Sequence, residues 1–85
     1  MEYFVYILYS QSRDRYYVGY SRDPFSRLDE HNMGATTSTK NGRPWILVYF
    51  EDCDDKSAAI KLECKIKRMK SRKYIESLIG KKSAG

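Results

Sequence analysis

Two neighbouring segments rich in aromatic and β-branched residues constrain the fold of this chain more than any other feature. The first, Tyr3–Tyr9, is too short for a helix, and its composition favours a buried strand. The second, Arg15–Tyr20, has a similar character, and only the polar residues 10–14 separate the two. A connection this short predicts an antiparallel hairpin.

A helix and a third strand follow the hairpin. Asp23 and Pro24 are typical of a helix start, with Asp23 as the N-cap and Pro24 at the first helical position. Gly34 is expected to end this helix. Residues 35–44 are polar and predict an exposed loop, and residues 45–50 predict a strand. One face of the helix carries Phe25, Leu28 and Asn32.

Two further helices are predicted after this strand. Asp54 and Asp55 give the first of them a negative start, which suits the helix dipole. Ser71 is expected to cap the last helix and Gly80 to end it. The resulting order, ββαβαα, predicts an α+β fold with a three-stranded antiparallel sheet flanked by helices. The helix that follows Asp54 and Asp55 has an apolar stripe at helical spacing, formed by Ala59, Leu62, Ile66 and Met69.

The chain has 85 residues, which allows one domain, here assigned to residues 1–80 with 81–85 as a frayed tail. No apolar run approaches the roughly 20 residues of a membrane span. The N-terminus lacks the features of a signal peptide, so we expect a cytoplasmic protein without a membrane partner. We expect Cys53 in a turn and Cys64 in a helix, both reduced, and a single His argues against zinc.

Positive charge is concentrated at the C-terminal end. Residues 1–60 contain seven basic and nine acidic side chains, whereas residues 61–85 contain nine basic and two acidic ones. Such an end is typical of a polyanion-binding surface, although a solvated, lysine-rich helix explains it equally well. The candidate nucleic-acid-binding residues here are Lys65, Lys67, Arg68, Lys70, Arg72 and Lys73.

Three residues of the predicted hairpin are candidates for a functional site. Tyr6 and Tyr17 lie on its two strands, but tyrosine is a favoured strand residue and each could serve packing alone. Gly19 weakens a strand, so it marks either a bulge or close approach by a ligand or another backbone. Gly19 and its neighbour Tyr20 are therefore treated as candidate nucleic-acid contacts.

Three charged or titratable residues on the predicted helices are further candidates. Arg27 offers a planar fork of donors that fits a phosphate, and His31, four residues later on the same face, could bind a phosphate or move a proton. Both could equally be surface residues. Glu63 could form an i,i+4 ion pair with Lys67, or it could bind Mg²⁺, which often takes only one or two carboxylates.

The order of these residues resembles the GIY-YIG nuclease family. Phe4-Val5-Tyr6 and Tyr17-Val18-Gly19 are similar to the two short motifs that name the family. Arg27 stands ten residues after Tyr17, as the family's helix arginine does. His31 follows one turn later, where members carry His or Tyr.

The resemblance extends over nearly the whole chain, from Tyr3 to Ile79. Glu63 corresponds to the metal-binding glutamate of the family's later helix. The chain is similar to compact stand-alone members and to the N-terminal nuclease domain of the excision-repair subunit UvrC. Residues 44–49 and Ile66-Lys67 also resemble that subgroup.

The resemblance implies a metal-dependent endonuclease that hydrolyses phosphodiesters in DNA, with repair or recombination as the expected setting. Glu63 would hold Mg²⁺ or Mn²⁺, and Tyr17 or Tyr6 would help to deprotonate the attacking water. Arg27 would steady the phosphate and help to lower the pKa of the tyrosine, which is about 10 when unperturbed. His31 would assist in positioning or in proton transfer, and a protein partner could target the activity.

The chain also departs from the family pattern. Phe4 replaces the first Gly of the name motif, Tyr20 stands where many active members have Lys, and no Asn follows Asn41. Tyr20 and the missing Asn predict less efficient cleavage, and the main alternative is a nucleic-acid-binding module with weak or lost catalysis, although the retained set of candidate residues favours the enzyme. A third possibility is an adaptor whose basic end binds an acidic protein.

Overall fold

Three antiparallel strands form one sheet in the order β2-β1-β3, so the first strand is central. The computed structural model describes residues 3–84, apart from the side chains of Ser38 and of residues 82–84. This arrangement confirms the predicted α+β class and the order ββαβαα. The elements are β1 (Tyr3–Ser10), β2 (Arg15–Ser21), α1 (Pro24–Asn32), a 3-10 helix (Thr37–Gly42), β3 (Trp45–Cys53), α2 (Lys56–Met69) and α3 (Arg72–Ala84).

The register of the sheet divides its residues between two faces. β1 pairs with β2 so that Tyr6 lies opposite Gly19, and it pairs with β3 so that Tyr6 lies opposite Phe50. Because successive side chains of a strand point to opposite faces, Val5 and Ile7 face one side and Tyr6 faces the other. Each face is covered by different helices.

The two faces bury separate apolar clusters. On one face Val5 and Ile7 are fully buried and pack with residues of α2 and α3, such as Ile66 and Ile75. On the other face Tyr6, Leu8 and Trp45 are buried, joined by Tyr17, Leu28 and Leu47. Full burial of one such aliphatic side chain contributes about 1.5–3 kcal/mol. The two clusters therefore hold the helices to both sides of the sheet.

Helix α1 begins and ends as its sequence predicts. The carboxylate of Asp23 accepts hydrogen bonds from the backbone N–H groups of Phe25 at 3.1 Å and Ser26 at 3.2 Å. Pro24 occupies the first helical position. Gly34 follows the helix with a φ of +81°, a left-handed conformation that favours glycine. These caps fix the helix that carries Arg27 and His31.

The segment predicted as an exposed loop, residues 35–44, includes a short helix and a buried residue. It contains the 3-10 helix, and Thr39 within it is fully buried. Thr39 can be buried because its polar groups have partners, including the indole N–H of Trp45, which donates to its carbonyl oxygen at 2.7 Å. The polar composition concealed these partners, so the prediction was wrong for this residue.

The C-terminal helix extends further than predicted. It runs through Gly80 to Ala84, so the expected end at Gly80 is wrong, and Gly85 of the expected frayed tail lies outside the described residues. Glycine in a helix interior costs about 1 kcal/mol relative to Ala, which does not force a break. None of the helices within residues 3–84 is long and apolar enough to span a membrane.

Three side chains lie elsewhere than their patterns predict. Phe25 is 59% exposed and contacts Phe50 edge-on, whereas Met69 at the end of α2 is 50% exposed. Cys53 is the last residue of β3 and is buried, rather than lying in a turn. Cys64 lies on α2, as predicted, and is exposed.

Candidate active site

A concavity of about 360 Å³ lies along the edge strand β2. It forms where the two apolar clusters meet, since Tyr6 and Tyr17 belong to one cluster and Tyr20 packs against the other. Side chains from α1 and α2 therefore reach the same space. The lining residues are Tyr6, Tyr17, Gly19, Tyr20, Ser21, Arg27 and Glu63. Of these, only Ser21 was missed by the sequence analysis, because a lone serine at a strand end carries no distinguishing pattern.

Gly19 leaves space for the ring of Tyr6. A Cβ atom at position 19 would lie 2.7 Å from the Tyr6 hydroxyl oxygen and 2.8 Å from Cζ of the same ring. Both distances are well inside van der Waals contact. The glycine was predicted to allow close approach by a ligand or backbone, and the group that approaches it is this tyrosine. Gly19 therefore fixes where the Tyr6 hydroxyl lies.

Gly19→Ala is expected to lower the free energy of unfolding by about 1–3 kcal/mol, because the buried Tyr6 ring must shift. Chemical denaturation of the parent and the variant measures the difference. Gly80→Ala is a matched control, since a Cβ there meets nothing within 4 Å. Equal stability of Gly19→Ala and the parent would mean that the ring is not held against β2.

A buried chain of hydrogen bonds runs from Tyr6 away from the concavity. The Thr39 hydroxyl donates to the carbonyl oxygen of Thr36 at 3.3 Å, so it accepts from Nδ1–H of His31 at 2.7 Å. Nε2 of His31 then accepts the hydroxyl hydrogen of Tyr6 at 3.1 Å. His31 is fully buried. Its pKa is lowered, mainly by burial and to a smaller extent by the positive charge of Arg27. The imidazole is therefore a neutral acceptor.

The burial of His31 changes its expected role. It does not line the concavity, and it does not share an exposed face with Arg27, although the two are one helical turn apart. The reason is that its ring packs between Tyr6 and Tyr17, with centroid distances of 6.1 Å and 4.9 Å. The expectation of a direct phosphate contact is wrong, and His31 can act only through Tyr6.

Thr39→Val is expected to destabilise the protein by about 1–3 kcal/mol, because it leaves the buried Nδ1–H of His31 without an acceptor. Thr39→Ser retains the hydroxyl and serves as the matched control. Thermal and chemical denaturation compare the two variants. If Val and Ser cost the same, the loss comes from packing at position 39 and not from the hydrogen bond.

Two of the three tyrosines of the concavity, Tyr6 and Tyr17, differ in their surroundings. Burial raises the pKa of Tyr6, and the guanidinium of Arg27 opposes this shift in part. The Tyr6 hydroxyl is also committed to His31. Tyr17 is only partly buried, its ring packs on Trp45 at 6.3 Å, and its hydroxyl makes no hydrogen bond within the described part of the chain. The Tyr17 hydroxyl is therefore the one available to a ligand.

Arg27 extends from α1 into the concavity. One terminal nitrogen, Nη1, forms an ion pair with Glu30 at 2.7 Å. Its Nε is buried and has no hydrogen-bond partner among the described residues. The neighbouring Tyr6 hydroxyl raises the pKa of Arg27, so the side chain stays charged. A buried, unsatisfied donor is costly, which indicates that Arg27 is arranged for an anion that would complete it.

Glu63 supplies the carboxylate of the concavity. Its side chain is only 15% exposed, and Oε2 accepts from the ammonium of Lys67 at 3.1 Å. Within residues 3–84 no three His, Cys, Asp or Glu side chains cluster as metal ligands. A single carboxylate fits Mg²⁺ or Mn²⁺ that keeps most of its waters and binds substrate phosphate, and it does not fit a closed zinc site.

The predicted nucleic-acid-binding residues of the C-terminal region do not share one surface. Lys67, Lys70 and Arg72 line a cavity between β2, α2 and α3. Lys65 and Arg68 line a different depression on α2. Lys73 is exposed at the start of α3. Helical geometry causes this separation, since neighbours in sequence lie on different sides of a helix.

Arg72 has a structural function that its position in a basic run did not reveal. Its guanidinium pairs with Asp14 at 2.5 Å and with Glu76 at 3.1 Å. The Asp14 carboxylate has a pKa of about 2, well below its ordinary value, mainly because of Arg72. Arg72 therefore joins α3 to the β1–β2 turn and has less charge to offer a phosphate.

Comparison with known proteins gives consistent matches. The family model of the GIY-YIG catalytic domain matches residues 2–75. A UPF0213 protein of Listeria innocua is 37% identical over 95% of this chain and 89% of its own length. A UPF0213 protein of Staphylococcus aureus is 40% identical over 85% of this chain and 88% of its own. The solution structure of a UPF0213 protein of Bacillus halodurans is similar with a TM-score of 0.58 and 31% identity, over 94% of this chain and 84% of that one.

Proposed function

This chain belongs to the GIY-YIG family, and we propose that it is a divalent-metal-dependent endonuclease that hydrolyses phosphodiester bonds in DNA. One observation carries the proposal: Tyr17 of β2, Arg27 of α1 and Glu63 of α2 line one concavity. Binding nucleic acid needs positive charge, but it has no need for a largely buried carboxylate beside an arginine.

Arg27 binds the reacting phosphate in this proposal. Its unsatisfied Nε and the remaining guanidinium donors can donate hydrogen bonds to the non-bridging phosphate oxygens. These hydrogen bonds strengthen as negative charge develops on the oxygens in the transition state. The Tyr6 hydroxyl neighbours Arg27, but its hydrogen is donated to His31, which Thr39 holds in turn. Tyr6 and His31 are thus positioning residues rather than groups that touch substrate.

Tyr17 is the proposed acceptor of the proton from the attacking water. Its hydroxyl makes no hydrogen bond to the described residues, whereas the Tyr6 hydroxyl is bonded to His31. Glu63 would hold Mg²⁺ or Mn²⁺ from the other side of the concavity. The ion, when bound, would supply Lewis-acid stabilisation of the phosphate and further positive charge near Tyr17.

The partner in this proposal is nucleic acid, with DNA as the substrate and DNA repair or recombination as the setting. Gly19 leaves space for the Tyr6 ring. Tyr20 and Ser21 are therefore the hairpin residues that would contact the DNA strand. The activity would be cytoplasmic, and a targeting protein could provide sequence or structure preference. Tyr20, where many family members have Lys, favours slower cleavage than theirs.

Fluorescently labelled oligonucleotides test this proposal. Single-stranded, duplex and branched DNA and RNA are incubated with purified protein and Mg²⁺, Mn²⁺ or EDTA, and products are resolved on denaturing gels. We expect metal-dependent cleavage of DNA that Tyr17→Phe slows more than Tyr6→Phe does. Salt-dependent binding without cleavage of any substrate would instead support the binding-module alternative, and absence of binding would support a protein adaptor.

A further inference from the structure

We propose that Lys67 couples metal binding to substrate binding: it neutralises Glu63 in the metal-free protein and binds a substrate phosphate once Glu63 holds a metal ion. This inference rests on the proposed function, in which Glu63 is the metal ligand. Lys67 would thus exchange one partner for another within the site, and metal and DNA are expected to bind cooperatively.

The geometry of the ion pair favours movement of the lysine rather than of the glutamate. Lys67 Nζ lies 3.1 Å from Glu63 Oε2, and the Lys67 side chain is 52% exposed whereas that of Glu63 is 15% exposed. An exposed, flexible lysine can change its partner without repacking the core. Glu63 is confined to the concavity, so its carboxylate stays in place for a cation.

A second cavity gives Lys67 a place to move. This cavity, of about 350 Å³ between β2, α2 and α3, is lined by Lys67 itself, and it adjoins the active-site concavity because Lys67 bonds to Glu63. Arg15 and Lys70 also line it, and neither pairs with a carboxylate among the described residues. Tyr16 provides an aromatic wall of the cavity. The cavity therefore suits the phosphate that neighbours the reacting one.

Simple electrostatics links the two binding events. An ammonium and a divalent cation compete for one carboxylate, so Lys67 lowers the metal affinity of the free protein. A DNA phosphate offers Lys67 another partner and removes this competition. By thermodynamic linkage, DNA then raises the affinity for metal by the same factor by which metal raises the affinity for DNA.

Calorimetric titration with Mn²⁺ tests the proposal on metal-free parent protein, Lys67→Met and Lys61→Met, with and without a short DNA duplex whose integrity is checked by gel. Without DNA, Lys67→Met is expected to bind Mn²⁺ about three- to tenfold more tightly than the parent. DNA should tighten Mn²⁺ binding by the parent and much less by Lys67→Met. Lys61→Met, which removes an equal charge from the other depression on α2, should behave as the parent does.

The outcomes separate this inference from the proposed function. If Lys67→Met binds Mn²⁺ as the parent does while Glu63→Gln loses binding, the coupling is wrong and the metal site stands. If both lysine variants tighten binding equally, the effect is general charge and the coupling is also wrong. If Glu63→Gln retains full Mn²⁺ affinity, the metal site itself is wrong, and both proposals fall.

Discussion

Glu63→Gln is expected to lower the rate of metal-dependent DNA cleavage by about 10³-fold or more, because a bound metal ion contributes several kcal/mol of transition-state stabilisation. Among the described residues that line the concavity, Glu63 is the only carboxylate, so none of the others can replace it as a metal ligand. The amide keeps the size of the side chain and loses the charge that holds a divalent ion. Single-turnover cleavage of labelled DNA at saturating protein measures the rate.

The fold should survive this substitution. Glu63 contributes an ion pair with the exposed Lys67, and such pairs are worth only about 0.2–1 kcal/mol. Far-UV circular dichroism and chemical denaturation provide the control. A folded Glu63→Gln variant that cleaves at the parent rate would show that the metal binds elsewhere or that cleavage comes from a contaminant.

Arg27→Ala is expected to slow cleavage by about 10²–10³-fold, the usual cost of losing one positioned donor to developing charge. Its Nε is already buried without a partner, so truncation removes an unsatisfied group and opens no part of either apolar cluster. The free energy of unfolding should change by less than about 1 kcal/mol, since the pair with Glu30 is half exposed. Single-turnover kinetics and denaturation measure the two quantities.

Arg27→Lys is the matched variant for this prediction. It keeps the positive charge but loses Nε and the planar fork, so its cleavage rate should lie between those of the parent and Arg27→Ala. If Lys restores the full rate, charge alone is sufficient and the buried Nε has no special part. If Ala cleaves as fast as the parent, Arg27 does not contact the reacting phosphate.

The strands and the start and end of α1 could be predicted from local sequence because local rules determine them. The run Tyr3–Tyr9 has no helical alternative at its length, and the Asp23 cap and the left-handed Gly34 mark the helix directly. The common location of Tyr17, Arg27 and Glu63 was predictable only through the family resemblance. No periodicity relates residues on three separate elements.

The hydrogen bonds that hold the site residues in place from behind were not predictable, because they form between segments that are distant in the sequence. Thr39 lies in a polar segment with no helical or strand pattern, yet its hydroxyl holds His31 eight residues away. Asn32 was assigned only to the helix face of Phe25 and Leu28. Its side chain accepts from the backbone N–H of Trp45 at 2.6 Å and donates to the carbonyl oxygen of Trp45 at 3.0 Å. Polar residues are buried when such partners exist, and partners are known only from the fold.

Conversion of supercoiled plasmid to nicked circles tests the central claim most directly. Metal-free parent protein and Glu63→Gln, purified side by side, are mixed with plasmid, and Mn²⁺ is added, followed by EDTA. The proposed site predicts that nicked circles accumulate with the parent only after Mn²⁺ is added, that EDTA stops them, and that Glu63→Gln produces none. Absence of nicking by the parent, or equal nicking by both proteins, would contradict a metal-dependent nuclease site at this concavity.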